Sequence, residues 1–190
     1  VGIYAVAATL SEAWYFIPVA IVASFFPKLI KLRESNSGLY HKRLQQVFDL
    51  LFILALAVAV VITLIAEPLI SIMFGEAYQQ SAPILVIHIW AALFIFMRAA
   101  FSKWILIENV LMFSLFTQGL GALANVALNY WLIPLYGGIG AAYATLISYA
   151  IASYLALLLY PKTRPIFWMM SKSVMSPLRY TLFKLSKSRA

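Results

Sequence analysis

Among the polar side chains that interrupt the long apolar runs of this sequence, six are of types that could carry chemistry. They are Glu12, His88, Arg98, Gln118, Asn125 and Asn129. An ionised side chain at the centre of a membrane helix costs about 2.5–3.5 kcal/mol on insertion scales. Such residues therefore line a hydrated cavity, bind a ligand or ion, or hydrogen-bond a neighbouring helix.

The two charged members of this set have two interpretations each. Glu12 could line a cavity, take up a coupling proton or pair with a basic head group, or it could lie near the outer interface and pair with another helix. Arg98, followed by Lys103, could attract a phosphate group, since a guanidinium matches phosphate geometry. Alternatively, both cations extend to the membrane interface.

The neutral members favour hydrogen bonding between helices. His88 is either a helix–helix hydrogen-bonding residue or part of a proton relay. Gln118, Asn125 and Asn129 are spaced seven and four residues apart, so they share one helix face. We predict that Asn125 and Asn129 bond neighbouring helices and that Gln118 lies in a cavity. The substrate-cavity candidates are thus Glu12, Arg98, Gln118 and His88.

Known catalytic and metal-binding patterns are missing from the sequence. It has no phosphate-binding glycine loop, nucleophile elbow or helical HExxH motif. It has no cysteine, and its two histidines are far apart. We therefore predict no enzyme activity, no metal and no cofactor, leaving open a coupling ion, either a proton or sodium.

The elements that must position these residues are predicted to be membrane-spanning helices. The chain is 64% hydrophobic and only 11% charged, with a mean hydropathy of +0.93; a soluble domain is about one quarter charged. A span takes about 20 helical residues. Five segments qualify, which predicts an all-α integral membrane protein, with spans at residues 3–26, 47–66, 82–101, 110–133 and 139–160.

The basic residues lie on alternate connections between these segments. Five of the fourteen Lys and Arg residues fall in residues 28–43, two at Arg98 and Lys103, and seven in residues 162–189. Cytoplasmic loops retain Lys and Arg, so we predict a cytoplasmic C-terminus and an external Val1. The net charge of +8 is attributed to this topology, with no nucleic-acid partner. The odd span count and the start without methionine lead us to expect a fragment that lacks an N-terminal part.

One further feature concerns the packing of helices. Small residues at helical spacing in the fourth and fifth spans predict that these two helices pack closely.

The last part of the sequence differs in composition from the spans. Residues 161–190 combine aromatic and basic side chains, which favours a basic amphipathic tail on the inner leaflet. Pro165 and Pro177 interrupt this tail, so partial disorder is the alternative.

Three stretches of the sequence resemble one protein family. They are VGIY at residues 1–4 with Ala7 and FPKL at 26–29; EPLI at 67–70 with MFGE at 73–76, Tyr78 and Ser81; and Asn125 and Asn129 leading into LIPLYGGIGAAYAT at 132–145. In order and spacing they are similar to the C-terminal half of polysaccharide flippases of the multidrug/oligosaccharidyl-lipid/polysaccharide exporter superfamily. The third stretch is the most specific. There Pro134 is expected to end one helix and Gly137 and Gly138 to allow a tight reversal.

The resemblance implies a MATE-like transporter of two helical lobes around a central cavity, with this chain forming most of the C-terminal lobe. It implies flipping of undecaprenyl-pyrophosphate-linked oligosaccharide, for surface polysaccharide such as O-antigen of lipopolysaccharide, across the bacterial cytoplasmic (inner) membrane by alternating access. The implied partners are this lipid-linked oligosaccharide, membrane lipids, an N-terminal lobe and polysaccharide-assembly enzymes. A multidrug or lipid-precursor exporter, or a non-transporting scaffold for glycan-assembly enzymes, remains the alternative.

Overall fold

The protein is a bundle of α-helices, seen in a computed structural model that describes residues 2–178. The helices are α1 (Gly2–Glu12), α2 (Phe16–Ser35), α3 (Ser37–Phe74), α4 (Ser81–His88), α5 (Ala92–Ile107), α6 (Leu111–Ser153) and α7 (Arg164–Val174). Short 3₁₀ turns lie at Glu76–Tyr78, Ile89–Ala91, Leu155–Leu158 and Pro161–Thr163. The described part of the chain contains no strand, so the prediction of an all-α protein is confirmed.

Four helical stretches are long and apolar enough to cross a membrane. They are Gly2–Ser35, Ser37–Phe74, Ser81–Ile107 and Leu111–Leu158. The count differs from the predicted five because the fourth and fifth predicted segments form one continuous stretch. That stretch folds back on itself: Asn125 Nδ2 donates to Ser148 Oγ at 3.2 Å, which joins residues 23 positions apart. We call residues 111–136 the first arm of α6 and residues 138–153 its second arm.

The reversal within α6 occurs at Gly137, whose backbone is non-helical with φ 57° and ψ −131°. A positive φ is strained for residues with a Cβ, so glycine suits this position. Pro134 lies inside the helical stretch, three residues before the reversal. The expectation that Pro134 itself ends the helix was therefore wrong by about one turn, because Gly137 changes the chain direction. Gly138 lies against Ile84 of α4.

The connection predicted at residues 28–43 is helical almost throughout. Only Asn36 separates α2 from α3, with an extended backbone and a side chain that caps α3 by accepting from the Leu39 amide at 2.9 Å. Asn is a preferred helix N-cap. At its far end, the second arm of α6 stops at Ser153, seven residues before the predicted end of the fifth span.

The tail predicted at residues 161–190 begins with a helix that packs on the bundle. In α7, Ile166, Met170 and Ser173 are buried, and Gln45 of α3 donates to the Met169 carbonyl at 3.0 Å. Pro165 lies in the first turn of α7, where a proline is tolerated. Residues 179–190 of the predicted tail lie outside the described residues, as does Val1.

Within residues 2–178, the basic residues outside the cavity described below gather at one end of the bundle. Arg33, near the end of α2, donates to Glu108, just after α5, at 2.6 and 3.0 Å. These hydrogen bonds hold the pKa of the Glu108 carboxyl below its ordinary value. At the opposite end Ser81, five residues after the acidic residue Glu76, donates to the Ile3 carbonyl at 2.7 Å. We call the end of the bundle that carries Arg33 and Glu108 the basic end, and the end that carries Ser81 and Glu76 the acidic end.

Candidate functional site

A cavity of about 490 Å³ lies between α1, the α4–α5 stretch and both arms of α6. Most of its lining side chains are polar, although it crosses the apolar part of the bundle. The lining residues are Tyr4, Glu12, His88, Ile95, Arg98, Gln118, Gly121, Ala122, Asn125, Thr145, Ser148, Tyr149, Ala152 and Ser153. We call this space the polar cavity.

Arg98 of α5 reaches across the polar cavity to both arms of α6. Its guanidinium donates to Thr117 Oγ1 at 3.1 Å and to the Ala152 carbonyl at 3.2 Å. A longer contact of 3.4 Å runs to Ser114 Oγ, and the ring of Phe101 lies 5.6 Å away. All these partners are neutral, so the positive charge is oriented by the protein and is not cancelled by it.

Glu12 of α1 lines the same cavity as Arg98 and is exposed. Among the described residues, the ion pair that forms is Arg33–Glu108 at the basic end. Glu12 and Arg98 therefore share the cavity without direct contact. The polar cavity holds one negative and one positive side chain, each available to a ligand, ion or water.

His88 connects α4 to α1 at one side of the polar cavity. Its Nδ1 lies 2.9 Å from Ser11 Oγ, and its ring meets the Tyr4 ring edge-on at 5.9 Å between centroids. Tyr4 in turn hydrogen-bonds Thr145 of the second arm at 3.2 Å between the two hydroxyl oxygens. The structure thus places His88 in a helix–helix hydrogen bond, one of its two predicted roles, and within reach of the cavity.

The shared face of Gln118, Asn125 and Asn129 turns toward the second arm of α6. Gln118 lies in the polar cavity, 3.4 Å from Ser114 Oγ. Asn125 donates across to Ser148, as an interhelical residue should. Asn129 instead donates to Asn125 one turn earlier in the same arm, at 2.9 Å, so its amide nitrogen bonds within its own helix.

The polar cavity is open along one side. Glu12, Gln118, Ala122 and Tyr149 are exposed on its rim. Its floor is formed by buried groups: His88 is 2% exposed and Ser153 is 1% exposed. Ser153 Oγ has no hydrogen-bond partner among the described residues. The arrangement is a groove whose polar floor can be reached from the side of the bundle.

The structure brings all four predicted cavity residues, Glu12, His88, Arg98 and Gln118, to this one groove. Sequence reasoning missed the residues that support them. These are Tyr4, Ser11, Ser114, Thr117, Thr145, Ser148, Tyr149 and Ser153. A signal existed for two of them: Ser114 and Thr117 lie at helical spacing from the predicted residue Asn125 on the first arm.

Comparisons of this chain with protein-family models, with curated proteins and with solved structures found no match.

The groove is suited to binding a ligand. Three of its features, an oriented guanidinium, hydroxyl and amide groups, and an open side, suit a ligand that carries both anionic and hydroxyl groups. Within residues 2–178 no group of three His, Cys, Asp or Glu side chains lies close enough to hold a metal ion.

Proposed function

We propose that this chain is part of a membrane transporter that flips undecaprenyl-pyrophosphate-linked oligosaccharides from the cytoplasmic to the outer face of a bacterial inner membrane. The observation that carries the proposal is Arg98, an oriented cation with neutral partners on an open polar groove inside an apolar helical bundle. The similarity of residues 132–145 to the flippase family adds to it.

The proposed role of Arg98 is to bind the pyrophosphate. A guanidinium offers five N–H donors in a planar fork that matches phosphate oxygens, and that of Arg98 contacts Thr117, Ser114 and the Ala152 carbonyl. Binding of the pyrophosphate would replace the contacts of the Arg98 guanidinium to neutral groups with contacts to an anion. The amide and hydroxyl groups of Gln118, Asn125 and Tyr149 would face the sugar hydroxyls.

The open side of the groove is proposed to face a second helical lobe, so that the substrate moves between two lobes by alternating access. In this arrangement the first arm of α6 separates from or approaches the other lobe during the cycle. The basic end, which carries Lys28, Lys31 and Arg43, is proposed to be cytoplasmic. The C-terminus is then cytoplasmic as well, because α7 packs at that end.

Glu12 favours one alternative, an exporter of cationic drugs or of another lipid precursor in the same superfamily. Its carboxylate lines the groove and forms no ion pair among the described residues, so it could attract a cation or take up a coupling proton. A non-transporting scaffold for glycan-assembly enzymes is less favoured, because polar groups within apolar helices are costly when unused.

The test is complementation of a bacterium that lacks its own glycan flippase, using the full gene. Arg98→Ala is expected to abolish surface polysaccharide although the variant protein reaches its normal abundance in the membrane. Arg98→Lys is expected to produce little surface polysaccharide, because an ammonium lacks the planar fork of a guanidinium. Lys103→Ala is the matched control: Lys103 lies five residues further along α5, with its ammonium 5.2 Å from the Phe26 ring.

The outcomes separate the alternatives. Normal polysaccharide in Arg98→Ala would remove the pyrophosphate role. Loss of activity in Glu12→Gln alone, with Arg98→Ala active, would favour the drug-exporter alternative. Failure of the unmutated gene in several sugar backgrounds would contradict glycan flipping altogether.

A further inference from the structure

A second cavity, of about 230 Å³, lies between α2 and α3 at the basic end, away from the polar cavity. Lys28, Arg43 and Gln46 form its polar part. Phe25, Val47 and Leu50 contribute to its apolar part. The sequence alone relates the cations of this region only to membrane topology.

The polar and apolar parts of this cleft lie at different depths. The α2–α3 hairpin turns at Asn36, and a helix rises about 1.5 Å per residue. Lys28 and Arg43 are eight and seven residues from Asn36, at about the same height on the two facing helices. Phe25 and Leu50 are eleven and fourteen residues from Asn36, which is several ångströms deeper toward the bilayer.

The two depths in the cleft correspond to the head-group layer and the acyl-chain layer of a membrane. The predicted span of α3 begins at Val47, so Arg43 lies four residues, or about 6 Å, outside the hydrocarbon core. That is the level of lipid phosphates, whereas Leu50 is at the level of acyl chains. The cleft therefore presents cations to the head-group layer and an apolar wall to the chains.

The two cations of the cleft are not neutralised by the protein. Arg33, five residues after Lys28, is paired with Glu108. In contrast, neither Lys28 nor Arg43 has an ion-pair partner among residues 2–178, and no acidic residue lines the cleft. Gln46 orients Arg43 by accepting a 2.8 Å hydrogen bond from its guanidinium.

We propose that this cleft binds the phosphate of one anionic phospholipid from the leaflet at the basic end. Lys28 and Arg43 contact the phosphate from two helices, and the acyl chains lie along Phe25 and Leu50, which are 41% and 38% exposed. A volume of about 230 Å³ is below the range typical of sites for drug-sized ligands, so it holds a head group and not a whole lipid. Basic clefts between membrane helices recognise anionic head groups in this way.

The test is native mass spectrometry of the full chain, purified in detergent with equal amounts of phosphatidylglycerol and phosphatidylcholine. The unmodified protein is expected to retain phosphatidylglycerol at least about ten-fold over phosphatidylcholine. The Lys28→Gln/Arg43→Gln variant is expected to lose about ten-fold of that retention. Lys31→Gln/Lys42→Gln is the matched control, with the same loss of charge on the same two helices but outside the cleft.

Three results would overturn the proposal. One is equal retention of the two lipids by the unmodified protein, a comparison that does not depend on any variant folding correctly. Another is equal loss of phosphatidylglycerol in the cleft variant and the control, which would mean a diffuse charge effect. The third is competition by soluble glycerol phosphate at concentrations similar to the lipid, because the apolar wall would then contribute nothing.

Discussion

Ser173 of α7 donates a 2.7 Å hydrogen bond to Oδ1 of Asp49, a carboxylate of α3 that is only 6% exposed. Gln45 donates to the same oxygen at 2.8 Å and also to the Met169 carbonyl. A buried carboxylate needs such donors, because a charge without hydrogen bonds is costly away from water. The contact therefore fixes α7 on the basic end of the bundle.

Ser173→Ala is predicted to destabilise the protein by about 1–3 kcal/mol, the cost of removing a donor from a buried charged acceptor. The measurement is thermal unfolding in detergent, together with limited proteolysis, which should cut the region of α7 earlier in the variant. Ser35→Ala is the control, because Ser35 is exposed and bonds only a carbonyl of its own helix. Equal effects of the two substitutions would show that the Asp49 contact adds no stability.

Ser11→Ala is predicted to lower stability by about 0.6–2 kcal/mol through the loss of the hydrogen bond to His88. The range is low because hydrogen bonds between membrane helices have been found to contribute little each. Denaturant unfolding in micelles measures the change. Ser24→Ala, which removes a hydroxyl bonded within α2, serves as control. No difference from that control would mean that His88 gains an equivalent partner, such as water from the polar cavity.

The Arg33–Glu108 pair is predicted to make stability depend on pH. Because the hydrogen bonds from Arg33 lower the pKa of Glu108, the folded state holds its proton less tightly than the unfolded state. The pair therefore stabilises the fold above the ordinary carboxyl pKa, and this contribution is lost as the pH falls through the lowered value. The effect is small and is reduced by salt, because Arg33 is exposed.

The measurement for this pair is the melting temperature of the unmodified protein and of Glu108→Gln between pH 3 and pH 7. The two curves should converge at the acid end and separate toward neutral pH, with the unmodified protein higher. Parallel curves over the whole range would contradict the assignment of this pH dependence to Glu108.

Gly121→Val is predicted to cost about 1–3 kcal/mol by forcing apart the two arms of α6. A Cβ at Gly121 would lie 2.7 Å from Cβ of Ala152, closer than carbon atoms pack. Gly119→Val is a close control on the same arm, because nothing lies within 4 Å of the corresponding Cβ. The measurement is thermal unfolding of both variants. If Gly119→Val lowered the stability as much as Gly121→Val, the loss would come from helix propensity and not from close packing of the two arms.

The sequence predicts the apolar segments well because hydrophobic runs are visible without tertiary information. The charge pattern indicates a connection at residues 28–43 and does not reveal that it is helical. Lys, Arg, Glu and Leu are good helix formers there, and only Asn36 interrupts the helices. A charge count indicates a side of the membrane but does not distinguish a loop from a helix that extends beyond the bilayer.

In the groove too, some residues can be recognised from the sequence and others only from the structure. Arg98 and Glu12 are conspicuous because a charge is rare in an apolar run. Ser114, Thr117 and Ser148 are not conspicuous, because serine and threonine occur in membrane helices with their hydroxyls bonded to the preceding turn, as those of Thr117 and Ser148 are here. The second contact of Ser148, with Asn125, depends on the reversal at Gly137, which brings the two arms together. That of Thr117, with Arg98, depends on the packing of the first arm against α5.

The reversal at Gly137 predicts that the two arms of α6 cross the membrane separately, which makes five crossings from four helical stretches. Tyr136 and Gln80 should then face one side, and Ser37 and Asn109 the other, since the first pair lies at the acidic end and the second pair at the basic end. All four are exposed, and the chain has no cysteine of its own, so single cysteines can be introduced there cleanly.

Labelling of whole cells with a membrane-impermeant maleimide measures the sides directly. Tyr136→Cys and Gln80→Cys are expected to react in intact cells, and Ser37→Cys and Asn109→Cys only after the membrane is opened. Reaction of Asn109→Cys in intact cells along with Tyr136→Cys would mean that the first arm does not cross. Reaction of the Ser37 and Asn109 variants alone would keep the five crossings but invert the orientation, because the basic end would then face outward.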